Sequence, residues 1–154
     1  MSYERLLAQG SIREHKLTAE EVRVRVEELR EAAEQALGDA QVEEQSVDGR
    51  YQDAYAAARF LAEVVMTAEG YRPSSRPGQH RTMFEFLAVA NSGGWRDEAS
   101  YFQECRKQRN LVAYERVGAV GLSQVEELIS EARAFEASVI SWLKEAHPEL
   151  GLAE

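Results

Sequence analysis

Cysteine is nearly absent from this chain: Cys105 stands alone in 154 residues. No internal disulfide can form, and a reducing compartment is the simpler setting. Proline is scarce too. Pro73, Pro77 and Pro148 all fall outside the strongly periodic segments, so long stretches are free to be helical. No apolar run approaches a membrane span, and residues 1–10 lack the apolar core of a signal peptide; a cytoplasmic protein without a membrane partner is expected. Histidine is limited to His15, His80 and His147, none with another histidine or a cysteine at ligand spacing. Neither a metal site nor a cofactor is therefore expected. The sequence has no Gly-rich phosphate loop, no Cys-x-x-Cys pair, no His-Glu-x-x-His helix and no paired Glu-x-x-His motif, and nothing marks an activated nucleophile.

What is present is helix-forming: Ala, Glu, Arg and Leu dominate. The length suits one domain over residues 1–154, able to bury a core without staples, with residues 1–16 as a short N-terminal helix or arm carrying Tyr3, Leu6 and Leu7. Net charge is −9, which excludes a general nucleic-acid coat. The charge is uneven, however. Residues 71–120 carry a net +3 and the remainder −12. A local basic region on an acidic body suits one confined anionic ligand, or alternatively arginines that pair with acidic neighbouring helices.

Four long periodic segments and one short one predict an all-α, up-down antiparallel bundle of four to five helices. The first begins at Thr18 with Glu21 in a capping box, buries Val22, Val26, Leu29, Ala33 and Leu37, and is expected to end in a left-handed cap at Gly38. The second runs from about Arg50 to Glu69 and stops at Gly70, with enough alanine for close helix approach. A loop over residues 71–79 leads to a short helix from His80 to Val89. After Asn91-Ser92-Gly93-Gly94 the next helix spans about Asp97 to Glu115. The last opens with Ser123 and Glu126 as a second capping box and carries a seam of Val125, Leu128, Ala132, Phe135, Val139 and Trp142. No segment alternates with period two for more than a few residues, so no sheet is expected.

The chemistry concentrates in Arg106-Lys107-Gln108-Arg109-Asn110-Leu111-Val112-Ala113-Tyr114, at the end of a helix just before a glycine-containing hinge. This stretch resembles the signature of the HEPN superfamily (higher eukaryote and prokaryote nucleotide-binding domain). In that signature, an arginine followed by Asn, Asp or His precedes a histidine by four to six intervening residues. Ala68-Glu69-Gly70-Tyr71, the loop after it and Gly78-Gln79-His80-Arg81-Thr82 resemble the family's middle segment, and the final helix resembles its closing one; the likeness covers about residues 18–145.

The resemblance implies a HEPN-like bundle in which Arg109 is the motif arginine, Asn110 its companion and Tyr114 stands where the histidine belongs. Active relatives cleave RNA without a metal, arginine stabilising the phosphorane and histidine moving the proton. An unperturbed tyrosine has a pKa of about 10, so on the order of one part in a thousand is phenolate at pH 7. The implied protein is thus a non-catalytic or attenuated module binding RNA, a nucleotide or a partner protein. The family also implies a homodimer and a nucleotidyltransferase-type antitoxin in a toxin–antitoxin or defence setting. Arg106, Arg109, His80 and Arg81 are the candidate phosphate ligands, His80 and Arg81 because they open a helix. His80 is also a candidate substitute for the missing histidine. The alternatives are a metal-independent endoribonuclease toxin using Arg109, Asn110 and Tyr114, and a purely structural helical protein in which Arg109 is a solvated residue paired with Glu104 or Glu115. Tyr51 and Tyr55 are read as packing residues, Trp142 as core, Trp95 as a core cap or a partner contact, and Cys105 as an inert apolar filler.

Overall fold

The computed structural model describes residues 3–74, 77–114 and 118–152, with residues 113 and 114 described by their backbone alone. Among these residues six α-helices form the bundle: α1 (Tyr3–Ala8), α2 (Ala19–Ala40), α3 (Val47–Glu69), α4 (Gln79–Val89), α5 (Arg96–Tyr114) and α6 (Leu122–Ala146). None of them is long and apolar enough to cross a membrane.

Helix α3 is the axis, packed against α2, α4, α5 and α6. Composition makes this role available. Ala54, Ala57, Ala58 and Ala62 are fully buried and short, so four neighbours can approach one backbone, while Tyr51, Tyr55, Leu61 and Val65 fill the spaces between them. The helix starts where the Ser46 hydroxyl accepts the Gly49 amide at 3.0 Å. It ends at Gly70, whose φ of 89° is the left-handed exit that a side chain resists. A chain of aromatic rings then ties α3 to the rest. Tyr55 meets Phe84 of α4, Phe84 meets Phe102 of α5, and Phe102 meets Phe135 of α6, with centroids 5.3 to 6.0 Å apart.

The N-terminal cap of α2 forms as the sequence suggests: Thr18 accepts the Glu21 amide at 3.1 Å and Glu21 accepts the Thr18 amide at 2.9 Å. Its other end differs. Gly38 lies inside the helix, which continues to the fully buried Ala40. Side chains beyond the end supply the missing donors: Gln41 to the Leu37 carbonyl, Gln45 to that of Asp39 and Arg50 to that of Ala40. A glycine cap is then unnecessary. Helix α6 likewise begins earlier than expected. Gly121 is its N-cap, the Gln124 side chain accepts the Gly121 amide at 2.9 Å, and Ser123 sits within the first turn, so Ser123 and Glu126 do not form the cap.

Two short strands also correct the expectation of no sheet. Strands β1 (Ile12–Glu14) and β2 (Tyr71–Pro73) pair antiparallel, Arg13 opposite Arg72. Ile12 is buried and anchors the pair, and Tyr3 of α1 stacks on Phe86 beneath it. Trp95 is core, donating its indole N–H to the Ser138 hydroxyl at 3.0 Å. Trp142 is only half-buried, because Trp95 occupies the interior and Trp142 packs edge-on against it from outside.

Candidate functional site

Three helices bring the basic residues together. Tyr55 and Arg59 lie one turn apart on α3, His80 opens α4, and Arg106, Arg109 and Asn110 share one face of α5. Tyr55 is buried at the centre. Its hydroxyl lies 3.2 Å from His80 Nδ1, and the Arg109 guanidinium stands over its ring at 5.8 Å. Arg109 also donates to Asn110 Oδ1 at 3.4 Å, which explains a polar residue with poor helix propensity at this position. Arg109 is half-buried, not laid flat on the exterior.

Arg106 is aimed by a relay between helices. Its Nε donates to Gln103 Oε1 at 2.9 Å, and Gln103 Nε2 donates to the Arg81 carbonyl at 3.1 Å, joining α5 to the first turn of α4. Between them lies an open groove of about 470 Å³ lined by Gly78, Gln79, His80, Arg81, Arg106 and Asn110, with Pro77 at its rim. The α4 N-terminus faces this groove without a side-chain cap, since Gly78 holds φ at 93° and has nothing with which to accept the first amides. Arg81 is mostly exposed, near Glu85 at 3.9 Å, and serves the rim.

The electrostatics of the cluster are those of concentrated positive charge. Burial, followed by the fields of Arg59, Arg109 and Arg106, pushes the His80 imidazole down to about 4. His80 is therefore neutral at pH 7. Burial pushes the Tyr55 phenol up to about 12 even though the same three arginines oppose the rise. Tyr55 thus keeps its proton and can donate it to an unprotonated Nδ1, leaving the ring proton on Nε2. Arg59 is three-quarters or more buried at its side chain, 3.9 Å from Glu63, and burial lowers its pKa as well. Cations crowded at a cost in desolvation gain most from a multivalent anion.

Of the residues singled out in the sequence, the structure thus brings together Arg106, Arg109, Asn110 and His80, with Arg81 at the edge. The side chain of Tyr114 lies outside the described residues. Arg59 and the inner role of Tyr55 were missed. An arginine four residues after a tyrosine on an alanine-rich face was the available signal, since such a face is otherwise buried. Cys105 is buried and its thiol is pushed up by burial, consistent with an inert filler. Among the described residues no group of His, Cys, Asp and Glu could hold a metal ion. Comparison with family models, with curated proteins and with solved structures finds no match for this chain.

Proposed function

We propose that this protein is a HEPN-like module that binds the phosphates of RNA or a nucleotide in the groove between α4 and α5, with little or no catalysis of its own. The observation that carries the reading is a groove in which Arg106 and Arg81 face an uncapped helix N-terminus, with Arg59 and Arg109 standing behind His80 and close enough to depress its pKa. A phosphate entering the groove would meet the Arg106 and Arg81 guanidiniums and the first backbone amides of α4 together. The resemblance around Arg109 and Asn110 supports the same position. A homodimer and a nucleotidyltransferase-type antitoxin are proposed on the resemblance alone.

A second reading, a metal-independent endoribonuclease, is favoured by one contact: His80 stands beside the arginines with the Tyr55 hydroxyl at its Nδ1, where it would carry the proton. An imidazole near pKa 4 is a weak base in the free protein, which points to attenuation. Phosphate charge would oppose the arginine fields and move the His80 pKa back up toward its ordinary value.

Two assays test these readings. Fluorescence anisotropy with a labelled single-stranded RNA should show binding that weakens with salt and falls at least about tenfold in Arg106→Ala/Arg109→Ala. Binding that ignores both changes would overturn the proposal. Incubation of RNA in chelator should show at most slow cleavage, and any cleavage that survives both Arg109→Ala and His80→Ala would eliminate the second reading.

A further inference from the structure

A second groove, of about 410 Å³, lies on the other side of His80. Arg13, Arg25, Arg59 and Arg72 all line it, and Glu63 is its single acidic residue among those described. Glu63 is engaged with Arg25 at 2.9 Å and with Arg59 at 3.9 Å, so its charge is already shared. Arg25 also pairs with Glu28 outside the groove at 3.5 Å, which leaves four guanidiniums against two engaged carboxylates, a local excess of positive charge on a chain with a net charge of −9.

The β-pair makes the arrangement costly. Arg13 and Arg72 are direct cross-strand partners, so both side chains project from the same face of the ladder. Like charges in that position destabilise a strand pair, and both residues are exposed. The pair is nonetheless held in place from both ends. His15 donates its amide to the Gly70 carbonyl at 2.8 Å, and Ser74 donates its own to Ser11 at 2.9 Å. The N-terminal arm is therefore fastened where it presents Arg13 beside Arg72, with Arg59 in the wall behind them.

The two grooves are not separate. Gln79 and His80 line both, so the first turn of α4 is a shared ridge and Arg59 backs His80 from the second side. A mononucleotide fills one groove only. A ligand with phosphates repeated along a flexible backbone can cross the ridge and satisfy both.

We propose that the groove lined by Arg13, Arg25, Arg59 and Arg72 is a second phosphate subsite, and that the natural ligand is a single-stranded polynucleotide crossing His80 from one groove to the other. This deepens the phosphate-binding reading given above and rests on it. A duplex is a poorer fit, because a rigid rod cannot bend over a ridge within one helical turn of the protein without a large deformation cost.

The test compares ligands and grooves on the intact protein. The probes are a labelled uridylate oligomer of about eight nucleotides, within the range one small fold contacts, and uridine monophosphate as competitor. The proposal expects Arg13→Gln/Arg72→Gln to weaken the oligomer roughly tenfold, to lower its salt slope by about 1.4, and to leave the monophosphate unchanged. Arg13→Lys/Arg72→Lys keeps the charge and should restore most of the affinity, which separates a lost contact from a disturbed β-pair. Arg106→Ala/Arg109→Ala should weaken both ligands. Equal loss for oligomer and monophosphate in the Arg13/Arg72 variant, or none for either, overturns the second subsite. So does a polyglutamate peptide of equal charge that competes as well as the oligomer. If the Arg13/Arg72 effect appears while the Arg106/Arg109 variant binds normally, the second groove holds phosphate by itself, and both the crossing path and the first reading fall. Absence of binding to either ligand in the unsubstituted protein overturns both.

Discussion

His80 offers the sharpest quantitative consequence of the cluster. Its imidazole is displaced from the usual 6.5 to about 4, burial contributing most and then Arg59, Arg109 and Arg106 in that order. Removing one guanidinium therefore restores only part of the difference. Arg109→Ala should raise the His80 pKa by on the order of half a pH unit, with Arg59→Ala doing somewhat more and Arg106→Ala less. The sign extends to stability. Because the folded pKa is depressed, the unfolded chain takes up a proton first as pH falls below 6.5, so the native state loses stability through the interval down to about 4. Each pH unit of difference is worth about 1.4 kcal/mol. Allowing for solvent at a half-buried ring, the loss is about 1–2 kcal/mol. His80→Gln should flatten the pH dependence in that window. The assay is a histidine-ring proton NMR titration, paired with urea denaturation at pH 7 and pH 4.5. A His80 that titrates near 6.5, or that does not respond to Arg109→Ala, would refute the electrostatic reasoning.

Other consequences follow from the same geometry. His147 donates into a clasp with Glu69 at 2.6 Å and lies 3.0 Å from Glu149, while Tyr3 donates to Glu69 at 2.7 Å. The hydrogen bond to Glu69 raises the His147 pKa; burial works against ionising Glu69, but its bonds from His147 and Tyr3 outweigh it and hold it below the usual range. The clasp should thus be fully formed in mildly acidic solution, fade as pH rises through the elevated His147 pKa, and fade again as pH falls through the lowered Glu69 pKa. His147→Gln should cost about 1–2 kcal/mol at pH 6 and little at pH 9, read by thermal unfolding. Glu136 behaves oppositely: burial and then Glu34 push it up to about 7, so it costs stability as pH rises from 4.5. Glu136→Gln should stabilise the protein at pH 8 by about 1 kcal/mol in urea denaturation, and not at pH 4. At Gly70, nothing lies within 4 Å of where a Cβ would stand, so Gly70→Ala tests backbone strain without a clash. It should lower stability by about 1 kcal/mol, measured by chemical denaturation.

Much of the bundle is legible in the sequence because helix signals are local. Thr18 with Glu21, the steps from Val22 to Leu37, and Gly70 after an alanine-rich run each act within one or two turns. The errors arise where a distant group decides. Gly38 resembles a terminator until Gln41, Gln45 and Arg50 fold back to satisfy the carbonyls beyond it. Strands β1 and β2 are three residues each and gain their stability from Ile12 in the core, so no period could announce them. The site divides in the same way. Arg106, Arg109 and Asn110 are neighbours on α5 and readable by spacing. Arg59 belongs with them only because α3 and α5 pack together, and an arginine followed four residues later by Glu63 resembles an ordinary surface pair. His80 was recognisable as a helix opener, but its burial against Tyr55 required the fold.

Amide and side-chain NMR of the isotopically labelled protein, recorded as a single-stranded uridylate oligomer is added, tests the anion site most directly. The largest shifts should fall on the first turn of α4 and on the guanidinium signals of Arg59, Arg106 and Arg109, with the His80 pKa rising as the site fills. Shifts confined to other faces of the bundle, with His80 titrating as in the free protein, would contradict it.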